Sequence, residues 1–269
     1  MIPKELCHYT KKDIALEKIL FSKKIKLGQL GFTNDPKESK PKELSLFSDP
    51  HERLHSFHEI VQEAKRVSKE EWKVLCMTET LSDEKGKNVE GIDIGKFFTS
   101  GYSRPRMWAQ YADNHTGVCL IFDGFQLHKN ITNTLKNQSS SIFHGLVNYQ
   151  NVNSLHDNML KYDKYIKPYG LTEGIRKYYL DKYKKYFLSK YADWQNETEY
   201  RWLIHSPANS PEFIPITGAL TNILVGVDFP KVYNPTLIEL CKELNVSAGR
   251  MDWIGGTPFP DLTSIYEAN

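Results

Sequence analysis

The apolar pair Leu6-Cys7 and the aromatic Tyr9, set between polar Glu5 and His8, read as a short strand over Glu5-Leu6-Cys7-His8-Tyr9. The spacing then becomes helical at Ile14, Leu16, Ile19 and Leu20, with Thr10 and Asp13 placed to cap the helix that follows. Further helices are expected over 50–66, where Leu54, Phe57, Val61 and Ala64 keep the period, over 107–113, and over 236–244. Strands are expected at 25–27, 72–77, 118–122, 145–149, 212–216, 223–227 and 247–251. The segments 28–41 and 80–95 read as polar loops.

The alternation is sharpest in WQNETEYRWLIH, residues 194–205. An extended chain puts Glu197, Glu199 and Arg201 on one side and Tyr200, Trp202 and Ile204 on the other. One face reads as core, the other as a site or a wet surface. Before it, 155–193 carries tyrosines at helical spacing, broken near Pro168-Tyr169-Gly170, and reads as a Tyr/Lys-rich helical insertion between strands. The interleaving of strands and helices predicts an α+β fold with a mixed or antiparallel sheet core, in a single domain spanning 1–269.

With 269 residues and 40% hydrophobic content, the chain has material for a sizeable core. A net charge of +2 marks no dedicated nucleic-acid or membrane binder, so any basic site must be local. The apolar runs 118–122 and 223–227 fall far short of the ~20 residues of a membrane helix. The N-terminus lacks an apolar signal region, and a soluble, cytoplasmic protein is expected. Cys7, Cys76, Cys119 and Cys241 are scattered among apolar neighbours, which suits reduced thiols, and no CxxC pair starts a zinc site.

Several stretches carry candidate chemistry. His51, His55 and His58 would stack on one helical face, a row that suits either a metal or, more simply, solvent; no metal is expected. Residues 161–191 hold nine Lys or Arg against three acids, interleaved with eight tyrosines. Such a surface could contact nucleic acid by phosphate pairing and base stacking, or it could be a core of rings under a solvated lysine face. Cys76-Met77-Thr78-Glu79 ends a strand with polar groups, and Trp108, Tyr111 and His115 gather on a loop before a buried strand.

In order, Leu6-Cys7-His8-Tyr9-Thr10, Asn34-Asp35-Pro36, Cys76-Met77-Thr78-Glu79, Met107 through Cys119, Lys190 and Trp194 through Arg201 resemble a bacterial family known as domain of unknown function 2971. A remoter resemblance is to ADP-ribosyltransferase-like enzymes, in which an early strand supplies a ribose-binding His or Arg, a middle strand a Ser-Thr or Tyr element, and a late strand a glutamate. That resemblance implies NAD as substrate, an ADP-ribosyltransferase or NAD glycohydrolase activity on a macromolecular acceptor such as nucleic acid, and a toxin or antiphage defence role. It makes Glu199 the catalytic carboxylate, Glu197 an outer acid and His8 a ribose ligand. It nominates Tyr9, Thr10, Asn34, Asp35, Trp108, Tyr111, His115 and Arg201 as nucleotide-binding positions, with Arg104 or Arg106 as further diphosphate partners. His8 and Glu199 are then expected to face each other across a cleft. Two alternatives stay open: a nucleotide or nucleic-acid binding module without chemistry, and an RNA- or nucleotide-processing hydrolase using His8, His115 and Glu199 as acid and base.

Overall fold

The computed structural model describes residues 1–30, 45–47, 54–80, 88–89, 92–93, 99–136, 141–151, 159–207, 212–254 and 257–268. Eight strands carry the main sheet: β1 (Glu5–Thr10), β2 (Trp72–Glu79), β3 (Val118–Asp123), β4 (Ser141–Leu146), β5 (Glu199–His205), β6 (Leu220–Val225), β7 (Ser247–Ile254) and β8 (Thr257–Tyr266). Their spatial order is β8-β7-β6-β3-β1-β2-β5-β4, and the two-residue strand Gly28–Gln29 also pairs with β2. Along this path only β6 and β7 run parallel, so the fold is α+β on a mixed, mostly antiparallel sheet.

Among the described residues, seven helices other than short 3-10 turns cover the two faces: α1 (Ile14–Leu20), α2 (Phe57–Glu70), α3 (Pro105–Tyr111), α4 (Gly124–Leu135), α5 (Tyr162–Tyr169), α6 (Leu171–Phe187) and α7 (Asn234–Leu244). Strand alternation sorts the core between them. Leu6, Leu75, Met77, Leu120, Phe122, Tyr200 and Trp202 pack with apolar residues of α1, α4 and α7. On the opposite face Trp72, Val74 and Leu203 pack under α2, α5 and α6, while Cys7, Tyr9, Cys119 and Ile121 pack under α3. Among the described residues no helix is long and apolar enough to cross a membrane. All four cysteines are free thiols.

Most elements form where the patterning puts them, and the differences have local causes. The helix expected from residue 50 begins at Phe57, because Ser56 and Glu59 form a reciprocal capping box there. His55 therefore precedes the helix and contacts the Tyr162 hydroxyl, His58 is exposed, and His51 lies outside the described residues, so the row does not stack on one helix. No side chain caps α1, Thr10 and Asp13 included; its Phe21 N–H reaches five residues back to Leu16 O, a π-type turn. The strand expected at 145–149 is β4, with Asn148–Tyr149 forming a separate short ladder. Helix α4 and strand β8 were not anticipated: α4 starts on the Asp123 carboxylate, which accepts from Gln126 N, and β8 holds Pro258 and Pro260 at the sheet edge.

The described part of the 155–193 insertion, from residue 159 on, is built around a helical pair, α5 and α6, between β4 and β5. Gly174 sets their approach, because a Cβ there would lie 2.3 Å from Tyr165 O. Gly174→Ala is expected to cost about 1–3 kcal/mol by overpacking, read as a lowered midpoint in chemical denaturation. An unchanged midpoint would mean the two helices are not held this closely.

Candidate functional site

In the centre of the sheet three strands align one residue each: Cys7 of β1 opposes Thr78 of β2, and Thr78 opposes Glu199 of β5. Paired residues point to the same face, so this row, with Tyr9, Cys76 and Arg201 beside it, lies under α3. It is here that the charges of WQNETEYR collect.

Arg201 is fully buried and forks onto Glu199, donating Nε to Oε1 at 2.6 Å and Nη2 to Oε2 at 2.9 Å, while Nη1 donates to Phe187 O at 2.9 Å. Lys190 Nζ bridges the two acids, 2.7 Å from Glu197 Oε2 and 3.0 Å from Glu199 Oε2. Glu197 accepts also from the Tyr111 hydroxyl at 2.6 Å, and the Tyr149 hydroxyl accepts from Glu199 N at 2.8 Å. Burial alone would raise the Glu199 carboxyl, but Arg201 and Lys190 outweigh it and hold it well below the carboxylate range. The group is thus a buried quartet of two acids and two basic side chains, with Glu197 and Glu199 3% and 5% exposed.

Local structure explains how the quartet assembles. Ser189–Lys190 pairs in parallel with Asn148–Tyr149, which sets Lys190 beside Tyr149. A 3-10 turn over Ala192–Glu197 and a left-handed Thr198 (φ 43°) then bring the chain into β5. The alternation expected from Glu197 onward therefore starts at Glu199, and Glu197 reaches the same cluster from the turn. Across the row, α3 supplies Tyr111 and the buried Trp108, whose Nε1 donates to Tyr102 O at 2.8 Å and whose ring meets Tyr9 edge-on at 5.2 Å. Nearby, Trp194 lies under two cations, Lys190 at 5.1 Å and Arg106 at 5.6 Å from its ring centre.

The structure brings Tyr9, Trp108, Tyr111, Glu197, Glu199 and Arg201 together and sets others apart. The cleft expected between His8 and Glu199 is not formed. His8 pairs with Leu120 and so points to the α1, α4 and α7 face, as does Thr10, whereas Glu199 points to the α3 face. His8 Nδ1 instead meets Cys76 O at 3.1 Å where β1 and β2 diverge, and burial lowers its imidazole. Arg201, expected to meet a diphosphate, has no outward face: its donors are committed to Glu199 and Phe187. His115 sits in a left-handed turn beyond the end of β1, with Asp113, Asn114 and His115 at φ of 50°, 50° and 68°, and its ring lies against Trp253. Asn34 and Asp35 lie outside the described residues.

In the basic 161–191 stretch, Tyr162, Tyr165, Tyr178, Tyr179 and Tyr186 are buried in the core, while Lys161, Lys182 and Lys184 are exposed. Base stacking there is left mainly to Tyr169 and Tyr191, which are 52% and 49% exposed. A cavity of about 730 Å³ opens at the other end of β1, lined by Glu5, Glu79, Phe125 and Leu146 among others; Glu79 brings the end of the Cys76-Met77-Thr78-Glu79 stretch to it, and none of the proposed catalytic or nucleotide-binding residues lines it.

Two participants escaped the list of candidates. Lys190 stood among the fragments resembling the family, but a lone lysine after a strand-like Ser carries no chemistry by itself. Tyr149 had no local signal at all, since its role arises from a backbone N–H 50 residues away.

Residues 107–202 match the model of a family described as a protein of unknown function (DUF2971), so the matched segment runs from α3 into β5 and holds Tyr111, Lys190, Glu197, Glu199 and Arg201. Neither the curated proteins nor the solved structures yield a match to the chain.

Proposed function

We propose that the protein is an NAD-consuming enzyme of the ADP-ribosyltransferase type, acting on a macromolecular acceptor. The observation that supports this reading is the row Cys7, Thr78, Glu199: an early, a middle and a late strand, far apart in sequence, lie side by side and bring one residue each to the same face. In this reading Thr78 and Tyr9, rather than His8, serve the ribose side, because they share the face of Glu199.

The chemistry asks for a carboxylate that stays ionised. As the bond between nicotinamide and the ribose breaks, nicotinamide leaves with the electron pair and positive charge develops on the sugar, which a negative group nearby stabilises. Lys190 and Arg201 keep Glu199 in that state. The acceptor's nucleophile then bonds to the ribose carbon and gives up its proton, for which Glu197 is the neighbouring base.

Release of nicotinamide from labelled NAD, with protein and nucleic-acid acceptors present, tests the reading. Glu199→Gln is expected to lower turnover by on the order of 100-fold or more, with a circular dichroism melt establishing that the variant is folded. No turnover by the wild type, or full turnover by a folded Glu199→Gln, ends it.

One observation favours a second reading, a nucleotide-binding module without chemistry. The Glu199 carboxylate already accepts twice from Arg201 and pairs with Lys190, leaving little acceptor capacity for a ribose hydroxyl. Saturable NAD binding by calorimetry, with no nicotinamide released, would decide for it.

A further inference from the structure

The segment entering α3 contains three buried polar atoms without a hydrogen-bond partner: Ser103 Oγ, Arg104 Nε and Arg104 Nη2. Leaving such donors unmade costs free energy in the unliganded protein, and for a charged group the cost is larger. Among the other described arginines only Arg250 keeps an unpartnered buried nitrogen, Nη2, and its Nη1 is fully engaged, whereas Arg104 has a whole two-nitrogen edge unmade. Arg66, Arg176 and Arg201 pair with carboxylates, Arg106 donates to Asp193 O, and Arg250 donates to three backbone carbonyls.

Arg104 differs in its surroundings as well. The groups that act on it electrostatically are Tyr9, Cys7 and Tyr149, none of which is anionic at neutral pH, and burial pulls its guanidinium below the usual value. Tyr149 binds the Glu199 backbone and Tyr9 packs on Trp108, so Arg104 borders the row described above. Nε and Nη2 lie on one edge of the guanidinium and offer two parallel N–H groups, the geometry that grips a phosphoryl or carboxylate oxyanion in a bidentate manner.

We infer that Arg104 is the phosphoryl-binding residue of this site: its free edge receives a phosphate of the ligand, and the ligand class is a nucleotide that carries a diphosphate. The ligand's remaining parts rest on the reading of the site under the proposed function; the anion subsite itself needs only the orphaned arginine edge.

Calorimetric titration with pyrophosphate, ADP-ribose and adenosine, on wild type, Arg104→Met and Arg104→Lys, tests this. Wild type is expected to bind pyrophosphate and ADP-ribose, and Arg104→Met to weaken both by on the order of 10- to 100-fold, as loss of a charge-assisted contact does. Arg104→Lys should recover part of the affinity, since it keeps the charge and loses the fork. Adenosine should bind wild type and Arg104→Met alike. Ligand-free Arg104→Met should melt no lower than wild type, because an unpaired buried charge is removed.

Equal affinity of wild type and Arg104→Met for both anions overturns the inference, as does failure of wild type to bind either at millimolar concentration. The two readings fail separately. Arg104-dependent binding of ADP-ribose without nicotinamide release sinks the transferase and leaves this subsite standing. Nicotinamide release with an unchanged KM in Arg104→Met sinks the subsite alone.

Discussion

Arg201→Ala is expected to lower the unfolding free energy by about 3–5 kcal/mol, the cost of removing one partner from a buried pair. Glu199, 5% exposed with Arg201 in place, would keep Lys190 as its remaining basic partner beside a void where the guanidinium lay. The double replacement Glu199→Leu with Arg201→Met should cost less than Arg201→Ala, because no charge is then stranded and most of the volume is refilled. Urea denaturation of both variants and of wild type reads the difference. If Arg201→Ala costs under about 1 kcal/mol, as an exposed pair would, the pair is not buried in the way described.

The second large effect centres on Glu71, a buried carboxylate at the C-terminal end of α2. It is held by Arg66 at 2.9 Å, Arg176 at 2.8 Å and His205 at 3.2 Å, and so ties α2 and α6 to β5. Burial acts to raise its carboxyl, but hydrogen bonds from His205, Arg176 and Arg66 prevail and bring it to about 2 from a reference of 4.5. A group lowered in the folded state adds stability above its unfolded value and loses it as pH falls through the folded one. Glu71→Gln is accordingly expected to cost about 3–5 kcal/mol near neutrality. The gap between wild type and variant should narrow as pH falls from 4.5 towards 2. Thermal melts across that range check it, and a gap as wide at pH about 2.5 as at neutrality would show that the carboxylate is not held by these partners.

Much of the fold could be read from local pattern because strands and helices declare their periods. The alternation of β5 put Tyr200 and Trp202 in the core, and the structure adds that its other face is buried too, so Glu199 and Arg201 form an interior pair where the pattern allowed a wet surface. Helix α4 escaped because Asn130, Thr132, Asn133 and Thr134 are poor interior helix formers; three apolar contacts, Leu127, Ile131 and Leu135, and the Asp123 cap override that propensity. The site was legible only in part. Residue types were visible, but the side of the sheet each one faces depends on register between strands. That register places His8 with Leu120 and Thr78 with Glu199, and nothing within either strand's own sequence encodes it.

The position of β5 also bears on how the chain is made. One edge of β2 is paired by β1 and Gly28–Gln29, segments that precede it, whereas the other edge is covered only by β5, which begins at Glu199. At ribosomal rates, roughly ten seconds separate the emergence of the two strands. For that interval the apolar strand Trp72–Glu79 offers an open row of backbone donors and acceptors, the arrangement that recruits stray strands from other chains. A chain built this way carries an unpaired strand edge until Glu199–His205 is made, so slower translation across residues 80–198 is expected to lower its soluble yield in a cell, read as the soluble fraction at matched expression.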